Sequence, residues 1–166
     1  LRTGPGTWDY LYALYDGAAY AGSYRVSLDL NGGIGGSNGN GAVVYFNHQG
    51  FPGGAWGPEC YQLYLGGAGL VQLRRGLWSA VATSAETYDY HTTGQIELTY
   101  VGGRVTVRAS QGASTVTLFD NVALPGGPTW GKVGVGTLWA GGASFDNLRI
   151  EPVAVTSHAS FTLQAK

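Results

Sequence analysis

An all-β fold is what this sequence of 166 residues predicts, and three observations carry the prediction. Apolar residues alternate with polar ones or cluster in short runs, glycine interrupts almost every window that could be helical, and 29 glycines with 44% hydrophobic residues suit one domain rich in turns. A chain of this size buries a core without disulfides, so the single Cys60 needs no partner and reads as a small buried hydrophobe beside a strand.

Taken in order, the segment Trp8 to Tyr20 (WDYLYALYDGAAY) fits an entering strand or short turn at least as well as a helix. Strands follow at Tyr24 to Leu30, Ala42 to Asn47, Tyr61 to Leu65 and Leu70 to Arg74, separated by the loops NGGIGGSNGNG (31–41) and HQGFPGGAWGPE (48–59). QIELTY (95–100) and RVTVRA (104–109), joined at Val101-Gly102-Gly103, form the most explicit hairpin, because a Gly-Gly step supplies the positive φ of a tight turn. The stretch GKVGVGTLWAGGASFDNLRI (131–150) reads as two further strands closing a hairpin around Ala140-Gly141-Gly142. Pro152 is expected to end the pairing of the last strand, leaving 152–166 as a tail, linker or extra edge strand after a domain spanning 1–151.

The line GKVGVGT…FDNLRI resembles the ending of concanavalin A-like lectin/glucanase (laminin G-like) jelly rolls of the bacterial carbohydrate-binding-module type, and the upstream strands agree more loosely. The resemblance implies an antiparallel β-sandwich jelly roll with a concave and a convex sheet. It also implies a sugar ligand, an extracellular or secreted location, and one structural calcium ion, for which Asp146 in SFDN is the best match. Asp9, Asp16 and Asp29 are the helpers, and an Asp146 that merely caps the turn beside Asn147 is an equal alternative.

Side-chain parity turns these strands into a surface map. Val44, Phe46, Tyr61, Leu63, Leu65, Val71 and Leu73 point to the core; Tyr45, Asn47, Gln62, Tyr64, Gln72 and Arg74 point outward, with Trp78 expected on the next strand. A pyranose has an apolar C–H face and a hydroxyl rim, so flat aromatics among amides and a guanidinium match it, and Gly134 and Gly136 would leave floor space on the same face. Outward Tyr and Gln also occur on strands that bind nothing. Among loop aromatics, Trp56 and Trp139 are expected to make ligand contacts, whereas Trp8 and Trp130 are expected to fold back as lids; Tyr88 and Tyr90 beside His91 belong to the same rim.

Nine Lys and Arg against ten Asp and Glu leave a net charge of -1, which disfavours nucleic acid. The sequence holds no apolar run long enough to span a membrane. The start at Leu1 suggests a mature or excised piece of something larger.

Catalytic patterns are wanting. No closely spaced carboxylate cluster occurs, Gln95-Ile96-Glu97 lacks the histidine of lyases that share this fold, and Gly35-Gly36-Ser37-Asn38-Gly39 lies in a loop rather than at a strand-to-helix turn. His48, His91 and His158 are isolated from one another. Non-catalytic polysaccharide binding is therefore the leading reading. A structural or adhesive subunit that self-associates through loops or the 152–166 strand is the alternative, and a polysaccharide hydrolase or lyase the second.

Overall fold

The computed structural model describes residues 11–15, 17, 19–31, 41–50, 59–76, 78–89, 93–138 and 143–154. Two antiparallel sheets face each other. The large sheet contains β1 (Leu11–Leu14), β2 (Tyr20–Ala21), β4 (Gly41–His48), β5 (Tyr61–Gly66), β6 (Val71–Arg75), β7 (Ser79–Thr83) and β11 (Trp130–Leu138) in the order β1-β11-β4-β5-β6-β7, with β2 paired to β11. The small sheet contains β3 (Tyr24–Asn31), β8 (Gly94–Val101), β9 (Arg104–Gln111), β10 (Ser114–Ala123) and β12 (Ser144–Pro152) in the order β10-β9-β8-β3-β12.

The alternation read from the sequence builds the core. Val26, Leu28 and Leu30 from β3, Ile96 and Leu98 from β8 and Val105 and Val107 from β9 meet Val44, Phe46, Leu63, Leu65, Val71, Leu73, Val133 and Val135 of the large sheet, all buried. Fully burying each such side chain contributes about 1.5–3 kcal/mol. The hairpin at Val101 forms as expected, with Gly102 and Gly103 at φ 55 and 77, as a two-residue turn of positive φ requires.

The expected hairpin at 131–150 does not form. β11 lies between β1 and β4 in the large sheet, whereas β12 pairs with β3 in the small one. A turn between two apolar strands looks the same in sequence whether the chain folds back within a sheet or crosses to the facing one. Pairing also continues through Pro152, opposite Tyr24, and the Val153 N–H donates to the Ser23 carbonyl at 3.0 Å. β12 is an edge strand, where a proline that cannot donate is tolerated.

One irregularity fixes an end of the sandwich. Lys132 pairs with His48 and Gly134 with Tyr45, so Phe46 and Asn47 together oppose Val133 in a bulge, with Asn47 at φ 51. Gly131, at φ 150, approaches this bulge so closely that a Cβ there would collide with the Asn47 and His48 backbone. The bulge turns the Asn47 side chain between the sheets, where Oδ1 accepts from the Tyr24 hydroxyl at 2.6 Å and Nδ2 donates to the Pro128 carbonyl at 2.9 Å. Tyr61 adds a hydrogen bond to the Pro125 carbonyl at 3.1 Å. Around these bonds runs a chain of rings across both sheets: Tyr20 to Tyr24 at 5.7 Å, Tyr24 to Tyr100 at 5.3 Å, Tyr100 to Phe46 at 6.4 Å and Phe46 to Tyr61 at 5.6 Å.

Asn47→Ala should cost about 3 kcal/mol, since it strands a buried hydroxyl and a carbonyl and puts alanine at positive φ. Tyr24→Phe should cost about half of that. Urea unfolding of the two variants checks the order; equal and small losses would remove Asn47 from this role.

Candidate functional site

Parity places Val43, Tyr45, Gln62, Tyr64, Gln72 and Arg74 on the face of the large sheet that points away from the core. Cross-strand rows bring them together: Gly134–Tyr45–Gln62–Arg74 in one row and Gly136–Val43–Tyr64–Gln72–Thr83 in the next. Asn47 does not join them, because the bulge sends it into the core. His48 takes its place, its ring 6.1 Å from that of Tyr45 in an edge-on arrangement. Burial lowers the His48 pKa and nearby Lys132 lowers it further, against an opposing hydrogen bond to the backbone; Nδ1 accepts from the Gly50 N–H at 3.1 Å.

Outward does not mean open. Tyr45 is 2% exposed, Tyr64 1% and Gln62 0%, and Val43, Tyr45, Cys60 and Tyr64 form a second apolar cluster against which Leu70 packs. The Tyr64 ring lies against Gly41 and Gly66, where any Cβ would strike it. The Arg74 guanidinium sits over that ring at 3.6 Å and donates twice to Gln72 Oε1, at 2.9 and 2.7 Å. Gln72 Nε2 in turn donates to Thr83 Oγ1 at 3.2 Å. The platform expected to stack a sugar therefore already carries the protein's own cation. The floor expected over Gly134 is taken as well, by Leu14 and the Ala13 carbonyl of β1. Gln62 Oε1 and Thr137 Oγ1, both buried on this sheet, have no hydrogen-bond partner among the described residues.

Large aromatic surface is instead presented at the end of the sandwich held by Asn47. Among the described residues Tyr15, Trp78 and Trp130 are the exposed large apolar side chains, at 49%, 53% and 49%. Tyr15 follows β1, its N–H bonded to the Val133 carbonyl; Trp130 opens β11; Trp78 sits in the turn before β7 rather than on the strand. The registers Lys132–His48 and Phe46–Tyr61–Arg75–Ser79 put all three at the end where β4 finishes. Four strand spacings, about 19 Å, separate the start of β11 from that of β7. Beside Trp78 a recess of about 280 Å³ is lined by Glu59, Cys60, Arg75, Gly76 and Ser79.

Trp130 thus projects into solvent where a lid was expected, because its own carbonyl is tied to Gln49 Nε2 at 3.2 Å and Pro128 behind it to Asn47. Tyr88, expected on the rim, is 2% exposed and belongs to the core. Trp8, Trp56, Tyr90, His91 and Trp139 lie outside the described residues. Tyr15 and Lys132 carry no signal of a site in the sequence; a positive-φ-tolerant Asn before a loop is the one local sign that parity breaks.

Asp146 makes the contact of a turn cap. Its Oδ1 accepts the Asn147 N–H at 2.8 Å, and Asn147 Nδ2 donates to Oδ2 of Asp29, the cross-strand partner of Asp146, at 2.6 Å. Calcium takes six to eight oxygen ligands. Among the described residues no group of three or more His, Cys, Asp or Glu side chains converges. Asp9 and Asp16, the remaining expected helpers, lie outside the described residues.

Two facing antiparallel sheets with this connectivity form a β-sandwich jelly roll, a fold that solved carbohydrate-binding and lectin-like domains share. Solved structures agree: the carbohydrate-binding module CBM66 from Bacillus subtilis superposes with a TM-score of 0.57 at 17% identity, covering 90% of this chain and 96% of that one. The exoplasmic/lumenal domain of VIP36 in its Ca2+/Man3GlcNAc-bound form gives 0.64 at 13%, covering 89% and 75%. A legume lectin-like domain from Entamoeba histolytica gives 0.63 at 12%, covering 92% and 82%. No family model matches the chain, and no curated protein matches its sequence.

Burial pushes the Cys60 thiol up to about 12 from 9.0, against a weaker opposing bond from Gln62, and pushes Tyr88 up to about 12 from 10.0. At pH 8 Cys60 should be alkylated about a thousandfold more slowly in the folded than in the urea-unfolded chain. Both folded pKa values exceed the unfolded ones, so the stability they carry is full below about pH 9 and is lost as pH rises above it. A melting temperature flat from pH 9 to 11 would contradict the burial of these groups.

Proposed function

We propose that this domain binds polysaccharide without catalysis, through the aromatic end of the sandwich rather than the centre of its large sheet. The observation that carries this reading is the exposure of Tyr15, Trp78 and Trp130 at one end, with Lys132, Glu59 and Arg75 between them. Exposed indoles offer a flat apolar surface to the C–H face of a pyranose, while the carboxylate and cations between them match its hydroxyls. The spread of about 19 Å suits a chain of sugars better than a single ring. A carbohydrate-binding module and the Man3GlcNAc-bound VIP36 exoplasmic/lumenal domain share this fold and support the ligand class.

Within this reading Gln72 and Arg74, half-exposed beside the closed tyrosine platform, contribute at most the edge of the site. Tyr45, Gln62 and Tyr64 serve it by stiffening the sheet. Asp29 and Asp146 lie on the other sheet, where Asn147 donates to both, so the reading assigns neither a role at the aromatic end. An extracellular or lumenal location belongs to the same proposal; no helix among the described residues is long and apolar enough to cross a membrane.

Affinity electrophoresis against neutral polysaccharides tests it. Trp78→Ala and Trp130→Ala should each weaken binding about tenfold with the melting temperature unchanged. Wild-type retention by both variants, or none by the parent, would overturn the proposal.

A further inference from the structure

The outer face of the small sheet carries a groove of about 490 Å³ that plays no part in the reading above. Its lining comes from two adjacent cross-strand rows. One runs Arg108–Glu97–Ser27–Arg149 across β9, β8, β3 and β12, and the neighbouring row contributes Gln95 and Asp29. Every one of these side chains alternates with a core residue on its strand, which is why they share a face.

Their pairing is uneven. Glu97 faces Arg25 at 3.6 Å and Asp29 accepts from Asn147, so both carboxylates have neighbours. Arg108 and Arg149 make no hydrogen bond or ion pair among the described residues, although both border the same cavity. Three strand spacings, about 14 Å, separate their backbones. A groove flanked by two unpaired guanidiniums with acceptors on its floor has a definite chemical preference. The guanidinium forks favour a planar anion such as a carboxylate. The carboxylates and the Gln95 amide favour a ligand that also donates hydroxyl hydrogen bonds. A phosphate backbone offers closely spaced negative charge but few hydroxyl hydrogens for Asp29 and Glu97 to accept, and among the described residues no aromatic ring lines the groove to stack a base.

We infer that this groove is a second binding site, for an acidic glycan whose uronate carboxylates pair with Arg108 and Arg149 while its hydroxyls bond to Asp29, Gln95 and Glu97. The site is independent of the aromatic end, which takes neutral sugar surface.

Calorimetric titration of the whole chain with a short oligogalacturonate tests the inference, with its methyl ester and inorganic polyphosphate as controls. The acid should bind, and the ester, which keeps shape and hydroxyls but loses charge, should bind at least tenfold more weakly, as should polyphosphate. Arg108→Gln and Arg149→Gln should each weaken the acid about tenfold or more, whereas Trp78→Ala should leave it unchanged. Acid and ester bound alike, polyphosphate bound as well as the acid, loss of acid binding in Trp78→Ala, or no acid binding at all would each overturn the site. Neutral-glycan binding by the arginine variants reports on the aromatic end separately.

Discussion

The Asn47 side chain is the constraint on which the exposed end of this sandwich depends. Its hydrogen bonds reach Tyr24 in the facing sheet and Pro128 in the segment leading to β11, so a single amide sets the distance between layers and the start of the strand that presents Trp130. A bulge at φ 51 is required to point it there, and Gly131 is required to let β11 pass. Fully satisfied buried amides of this kind specify one arrangement more than they add net stability.

A second consequence of strand parity runs through the large sheet. Residues that alternate away from the core do not automatically meet water, and here Val43, Tyr45, Cys60 and Tyr64 gather into an apolar layer of their own. Arg74 closes that layer by stacking on Tyr64 while Gln72 holds its fork. The face that looks most like a sugar platform in sequence is thereby closed by the protein's own side chains, and the proposed recognition lies at the end of the strands and on the polar face of the small sheet.

What was legible in the sequence follows from period. The strands at 24–31, 41–48, 61–66, 71–75, 94–101 and 104–111 announce themselves by alternation, and Gly102-Gly103 by turn chemistry. Less legible were Ser79–Thr83, short and rich in Ser, Ala and Thr, and Ser114–Ala123, whose two register shifts break alternation. The 131–150 stretch misled because local pattern does not say which sheet a strand joins. Direction was readable at Tyr64 and Gln62 but exposure was not, since that depends on what packs over them. At Asn47 even direction failed, because one inserted residue inverts parity.

Observing the tyrosine and tryptophan ring resonances by NMR during titration with a neutral oligosaccharide is the most direct test of where recognition occurs. The account predicts that the indole signals of Trp78 and Trp130 shift on binding while the ring signals of buried Tyr45, and of Tyr64 beneath Arg74, stay in place. Shifts concentrated on Tyr45 and Tyr64, with both indoles silent, would show that the large-sheet face opens to its ligand and would contradict the account.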